Sequence, residues 1–225
     1  MIVAGADGCR TGWVVCRRDA DGTLDISVVT AIAQACEGVS ILAIDMPFGL
    51  LDAPEPGGRP CEREARALLP GKTSSVFPSP CRPALACTTY EQANATSKKL
   101  GIGLTQQTFH IFPKMLEIDE LMRTNPKAKP VVYEAHPELA FTRMNGGKPV
   151  LSKKRQPEGY EERRKLLAKH GFKSTVERLP GAARDDILDA ISVCRTALLI
   201  AEGKATRLGA ADARDRYGLP MNIWF

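Results

Sequence analysis

No stretch of this 225-residue chain approaches the roughly 18 consecutive apolar residues that a membrane-spanning helix needs. The first residues also lack the basic, then apolar, then small-residue order of a secretory signal. A soluble, cytoplasmic protein without a membrane partner is therefore expected. The seven cysteines, at 9, 16, 36, 61, 81, 87 and 194, are odd in number and never fall two residues apart. Neither a zinc ribbon nor a complete disulfide framework is expected from that spacing. Internal repeats and low-complexity tracts are absent as well. What remains is ordinary globular usage, with 44% hydrophobic and 25% charged residues. At this length it predicts one domain, 1–225, with a sizeable core.

Residues 2–6 read as a short apolar strand that runs through Asp7 into a glycine-bracketed turn, Gly8 to Gly12. Strands are expected again at 13–17 and 24–29, joined by Asp19-Ala20-Asp21-Gly22-Thr23, a strong hairpin signal. A fourth strand, 40–45, is apolar throughout, as in a strand covered on both faces, and ends in Asp45. A fifth, 131–135, contains Glu134 and is followed by His136-Pro137-Glu138. Between the last two, residues 50–128 open on a Pro- and Gly-rich loop and predict helices near 62–69, 90–100 and 105–123. They form a mainly helical insertion lying over a face or edge of the sheet. Two later helices are expected at 158–170 and from 185 to about 202, the latter apolar enough to be buried.

Asp7, Asp45 and the acids opening the last helix, Asp185, Asp186 and Asp189, come from three separate elements. Carboxylates brought together repel one another unless a cation lies between them, and hard divalent cations favour oxygen ligands. Asp185 stands at the expected cap position, leaving Asp186 and Asp189 as the ligand candidates. Asp189 lies one turn inside an apolar helix, where an unpaired charge is costly. Glu134 either joins this cluster or faces solvent, and His136 and Glu138 are candidates for proton transfer or orientation. Trp13, Phe48 and Phe77 are assigned to core or lid packing.

Positive charge is concentrated between Arg143 and Arg178, with 11 Lys and Arg against 4 Glu, an excess of seven. Such a stretch attracts phosphates through sequence-independent, salt-sensitive contacts. Lys153, Lys154 and Arg155 within it, with Arg59 and Arg82 earlier in the chain, are the candidate phosphate-binding residues.

Six motifs in order, spanning nearly the whole chain, carry a family resemblance. They are Gly5-Ala6-Asp7-Gly8-Cys9-Arg10-Thr11-Gly12-Trp13, Ala43-Ile44-Asp45-Met46-Pro47-Phe48-Gly49-Leu50, Arg59-Pro60-Cys61-Glu62-Arg63-Glu64-Ala65-Arg66, Ser75-Val76-Phe77-Pro78-Ser79-Pro80-Cys81-Arg82, Tyr133-Glu134-Ala135-His136-Pro137-Glu138 and Asp185-Asp186-Ile187-Leu188-Asp189-Ala190. Together they resemble the predicted ribonuclease-H-like nucleases catalogued as domain of unknown function 429. The resemblance implies an α/β ribonuclease-H-like fold, a five-stranded mixed sheet with strands one to three antiparallel and helices on both faces. It also implies two Mg²⁺ or Mn²⁺ ions held by Asp7, Asp45 and Asp186 or Asp189, in a nuclease hydrolysing phosphodiester bonds of DNA or RNA. Glu134 would complete the catalytic set. The spacing of Asp186 and Asp189 resembles the Holliday-junction resolvase branch, where acids three apart share a helix face.

Two other classes are kept in view. A catalytically inactive nucleic-acid-binding or scaffold protein would keep the same fold. An actin- or sugar-kinase-like phosphoryl transfer enzyme also starts with a strand-end Asp and a glycine turn. The chain is short for two such domains, however, and shows neither a second phosphate hairpin nor a later glycine-rich adenosine loop.

Overall fold

The computed structural model describes all residues, 1–225. A five-stranded sheet is formed by β1 (Val3–Cys9), β2 (Gly12–Arg18), β3 (Leu24–Val29), β4 (Ile41–Asp45) and β5 (Val132–Glu134), in the order β3-β2-β1-β4-β5. The first three strands are antiparallel, and β4 and β5 run parallel to β1. This arrangement, with helices on both faces, is compatible at a coarse level with a ribonuclease-H-like scaffold. β1 is longer than the sequence suggests: it pairs with β2 as far as Cys9 and Gly12, so only Arg10 and Thr11 turn. Asp7 therefore lies within β1, although it is level with the end of β4.

Alternation along the strands divides the core. Val3, Cys9, Val14, Cys16 and Ala43 face α9 (Arg184–Ala201), together with Phe141, Ile187, Ile191 and Cys194. Ala4, Ala6, Trp13, Val15, Leu42 and Ile44 face the opposite layer, which includes α1 (Ile32–Ala35) and α6 (Phe112–Thr124). α9 crosses the sheet at its closest over Gly5, where an added Cβ would lie 2.1 Å from Cys194 N and 2.3 Å from Ala190 O. Both are backbone atoms that cannot swing aside. Gly5→Ala is therefore expected to cost about 3 kcal/mol, the upper part of the usual overpacking range. Thermal unfolding should show it as a midpoint lowered by roughly 6–12 °C.

Between β4 and β5 lie α2 (Pro60–Ala67), a 3-10 turn at Thr73–Ser75, α3 (Arg82–Leu85), α4 (Tyr90–Lys99), α5 (Gln106–His110) and α6. The single helix expected at 105–123 is broken at Ile111 into α5 and α6. Pro113 stands in the first turn of α6 and has no N–H for the carbonyl one turn back. After β5 come α7 (Pro137–Met144) and α8 (Pro157–Lys169), then α9. α7 is an addition to the sequence reading; His136 caps it and Pro137 occupies its first turn. The chain ends in a two-stranded ribbon, β6 (Arg207–Leu208) and β7 (Ile223–Trp224). No helix is long and apolar enough to cross a membrane.

Trp13 and Phe48 are buried in the core as the sequence suggests, but Phe77 is only half-buried and belongs to none of the core clusters. All seven cysteines are free, five of them buried.

Candidate active site

Asp7 and Asp45 are direct partners in the parallel register of β1 on β4. Partners in register project to the same face of a sheet, here the face covered by α9. Asp189, in the second turn of α9, is 2% exposed. Burial, then the neighbouring Asp45 and Asp189 carboxylates, push Asp7 well above the ordinary carboxylate range. Burial also raises Asp45, with His136 and Lys154 opposing it. The same cause lifts Asp189 to about 6 in spite of Lys154. Three carboxylates from three elements thus feel one another's charge. Asp7 is only 9% exposed, yet neither it nor Asp45 accepts a hydrogen bond from the protein.

The positive charge facing them is Lys154, from the loop between α7 and α8. Its Nζ contacts the Asp189 carboxylate and lies 3.7 Å from Asp185. Burial opposes the ammonium charge, but Asp189, then Asp7 and Asp45, hold Lys154 well above the ordinary lysine range. The first turn of α9 reverses the expected roles of its two leading acids. Ala183 holds the cap position in place of Asp185, and Asp186, the third helical residue, accepts the hydrogen bond from Ala183 N at 2.8 Å. Asp185 is buried and turns to Lys154 and Arg155, sharing a helix face with Asp189 at the i, i+4 spacing.

Glu134 is placed differently. It pairs with Ile44 rather than Asp45, so it projects from the opposite face of the sheet. There Arg59 grips it with two hydrogen bonds, at 2.5 and 2.8 Å, and Phe48 N donates a third at 3.2 Å. Arg59 also bonds Glu62 and the carbonyls of Phe48 and Gly49. Burial opposes its charge, but Glu134 and Glu62 hold the guanidinium well above its usual value. Arg59 is thus committed inside the protein, 1% exposed, rather than offered to a phosphate. Arg82 is similarly engaged by Asp119 and Asp215.

The basic stretch 143–178 is partly spent in the same way. Arg163 is fully buried against both oxygens of Glu138, at 2.9 and 3.0 Å. Arg143 binds the Phe225 and Lys204 carbonyls. Lys153 and Arg155 are exposed, although Arg155 still reaches Asp185 at 3.2 Å. His136 ties two segments together. Glu138 N donates to its Nδ1, so the proton sits on Nε2 and is donated to Ser75 O; both distances are 3.2 Å. The ring fixes the loop around Phe77 relative to the start of α7.

A cleft of about 490 Å³ opens over the ends of β1, β4 and β5. Asp7 and Asp45 line it together with Arg59, Glu62, Glu134 and His136, and Val76, Phe77, Ile111 and Pro113 give it apolar surface. Arg10 and Lys114 add positive charge to the lining. Sequence reasoning passes over these two cations, although Arg10 occupies the turn just beyond Asp7. Lys114 is found only through the fold: its ammonium lies 4.6 Å from the centre of the Trp13 ring, beside Gly8.

A family profile described as a protein of unknown function (DUF429) matches residues 5–214. The chain belongs to the DUF429 family. Neither a curated protein nor a solved structure matches it. In this DUF429 chain no three acidic, His or Cys side chains are assembled closely enough to hold a metal ion by themselves. Asp7 and Asp45 nonetheless supply hard oxygen donors, side by side, with no protein hydrogen bond to give up. Their chemistry fits a divalent cation. The third acid, Asp189, is held by Lys154.

Proposed function

We propose that the protein is a metal-dependent phosphodiesterase acting on nucleic acid, with Asp7 and Asp45 as the core of the site. The observation that carries this reading is Asp7: nine-tenths buried, without a protein partner, in register with a second carboxylate and open to a cleft. A charge left in that condition costs stability, which points to a ligand that completes it. A bound Mg²⁺ or Mn²⁺ would polarise a phosphate oxygen and lower the pKa of the attacking water.

The chain's own residues do the rest. Asp7 and Asp45 would hold the cation, with Asp189, now paired with Lys154, the nearest further carboxylate. Arg10 and Lys114 draw the phosphate into the cleft, and the apolar wall limits water around it. The exposed Lys153 and Arg155 add salt-sensitive attraction outside. Two ions, as the resemblance implies, require Asp189 and either Asp185 or Asp186 to give up their present contacts. Glu134 and Glu138, both gripped by arginine, act as positioning residues.

A second reading is favoured by one observation. Because Lys154 already provides a cation to Asp189 and Asp185, the same cleft could bind nucleic acid without cutting it. Purified protein tested with Mg²⁺ and Mn²⁺ on single-stranded, duplex, hybrid and branched substrates separates the two. Cleavage that chelation stops supports the phosphodiesterase; binding without cleavage supports the second reading; neither binding nor cleavage overturns both.

A further inference from the structure

The cleft that holds Asp7 is a pocket of about 490 Å³. We infer that its substrate is an unpaired nucleotide of a single strand, with the base against Phe77 and the phosphate over Asp7 and Asp45. This inference rests on the phosphodiesterase reading and specifies its substrate class. With Asp7 only 9% exposed, a reacting phosphate must enter the cleft rather than pass across its mouth. The space, about 490 Å³, is in the range of pockets that enclose a single small ligand. A duplex keeps its bases paired on the axis and presents its backbone on a rigid cylinder, so its phosphates cannot descend without strand opening.

The lining combines carboxylates, cations and apolar side chains. Arg10 and Lys114 are cations, whereas Phe77, Met46, Ile111 and Pro113 offer an apolar surface. A site reading duplex backbone alone needs only the charged groups. An apolar wall beside a phosphate site matches a base freed from its stack, and enzymes that act on such bases favour strands already unpaired. Phe77 suits the stacking role because it belongs to no core cluster and is held on a loop that His136 anchors through Ser75.

The test measures binding of labelled single strands and of duplexes of the same sequence to wild-type protein with Ca²⁺ in place of Mg²⁺, alongside cleavage by wild type with Mg²⁺. Single strands are expected to bind at least about tenfold tighter, and Phe77→Ala to remove about tenfold of that binding while sparing any duplex binding. Phe77→Trp should restore it, which separates stacking from misfolding. Equal affinity for duplex, equally fast duplex cleavage, or indifference to Phe77→Ala overturns the substrate class while leaving the phosphodiesterase intact. Selective single-strand binding without any cleavage by wild type sinks the phosphodiesterase and keeps the pocket. If no nucleic acid binds, both fall.

Discussion

Asp7→Asn protein should be more stable than wild type when divalent cations are absent. Asn keeps the side-chain volume but removes a charge that burial and two neighbouring carboxylates disfavour. Relief of an unpaired buried group is worth about 1–3 kcal/mol, or a midpoint rise of roughly 2–12 °C for a chain of this size. An acid with only a structural role would show the opposite sign.

The pH dependence follows from the same shifts. Asp7, Asp45 and Asp189 are all raised on folding, so the folded state binds protons more tightly than the unfolded one. Their contribution is fully present below the ordinary carboxylate pKa and is lost as pH rises through the folded values, about 6 for Asp189. Thermal midpoints of cation-free wild type should therefore fall from mildly acid to neutral pH, and Asp7→Asn should flatten the slope. Saturating Mn²⁺ should restore wild type at neutral pH by about 2.7 kcal/mol at a hundredfold excess over its dissociation constant, and should leave Asp7→Asn unmoved.

Arg59→Ala is expected to be the most damaging single change to stability. It leaves Glu62 and Glu134, 2% and 4% exposed, without their shared counter-charge, and such a break costs about 3–5 kcal/mol. The thermal midpoint should fall by roughly 6–20 °C. Adding Glu134→Gln should recover part of the loss, since the stranded charge is then removed. If Arg59 were instead a phosphate contact, Arg59→Ala would raise KM at an unchanged midpoint. Calorimetric scans of the three proteins decide between these outcomes.

The strands that carry the site were legible because their signals are local. The Asp21-Gly22 turn and apolar alternation mark the meander, and an unbroken apolar run marks β4. Asp7 and Asp45 could be paired from sequence because each ends or nearly ends such a run. Glu134 could not be placed, because one residue of register decides which face it takes, and nothing in Val-Tyr-Glu states whether Glu134 or its neighbour stands opposite Asp45. The exchange between Asp185 and Asp186 has a similar origin: α9 is capped at Ala183, two residues before the expected Asp185, which turns Asp186 back to the cap N–H. Pro113 carried a readable break signal that the apolar pattern of 105–123 obscures. Lys154 shows only positive charge in the sequence. That it faces Asp189 rather than solvent depends on how α7 and α8 return their connecting loop to the sheet end, a long-range fact with no local signature.

The proposed divalent-cation site at Asp7 and Asp45 lies beside Asp189, which Lys154 holds. Calorimetric titration of Mn²⁺ into wild type, Asp7→Asn and Lys154→Met at neutral pH tests it most directly. Saturable binding to wild type, tighter binding to Lys154→Met and none to Asp7→Asn are expected. Wild type and Asp7→Asn behaving alike, or Lys154→Met failing to bind at all, would contradict the proposed site.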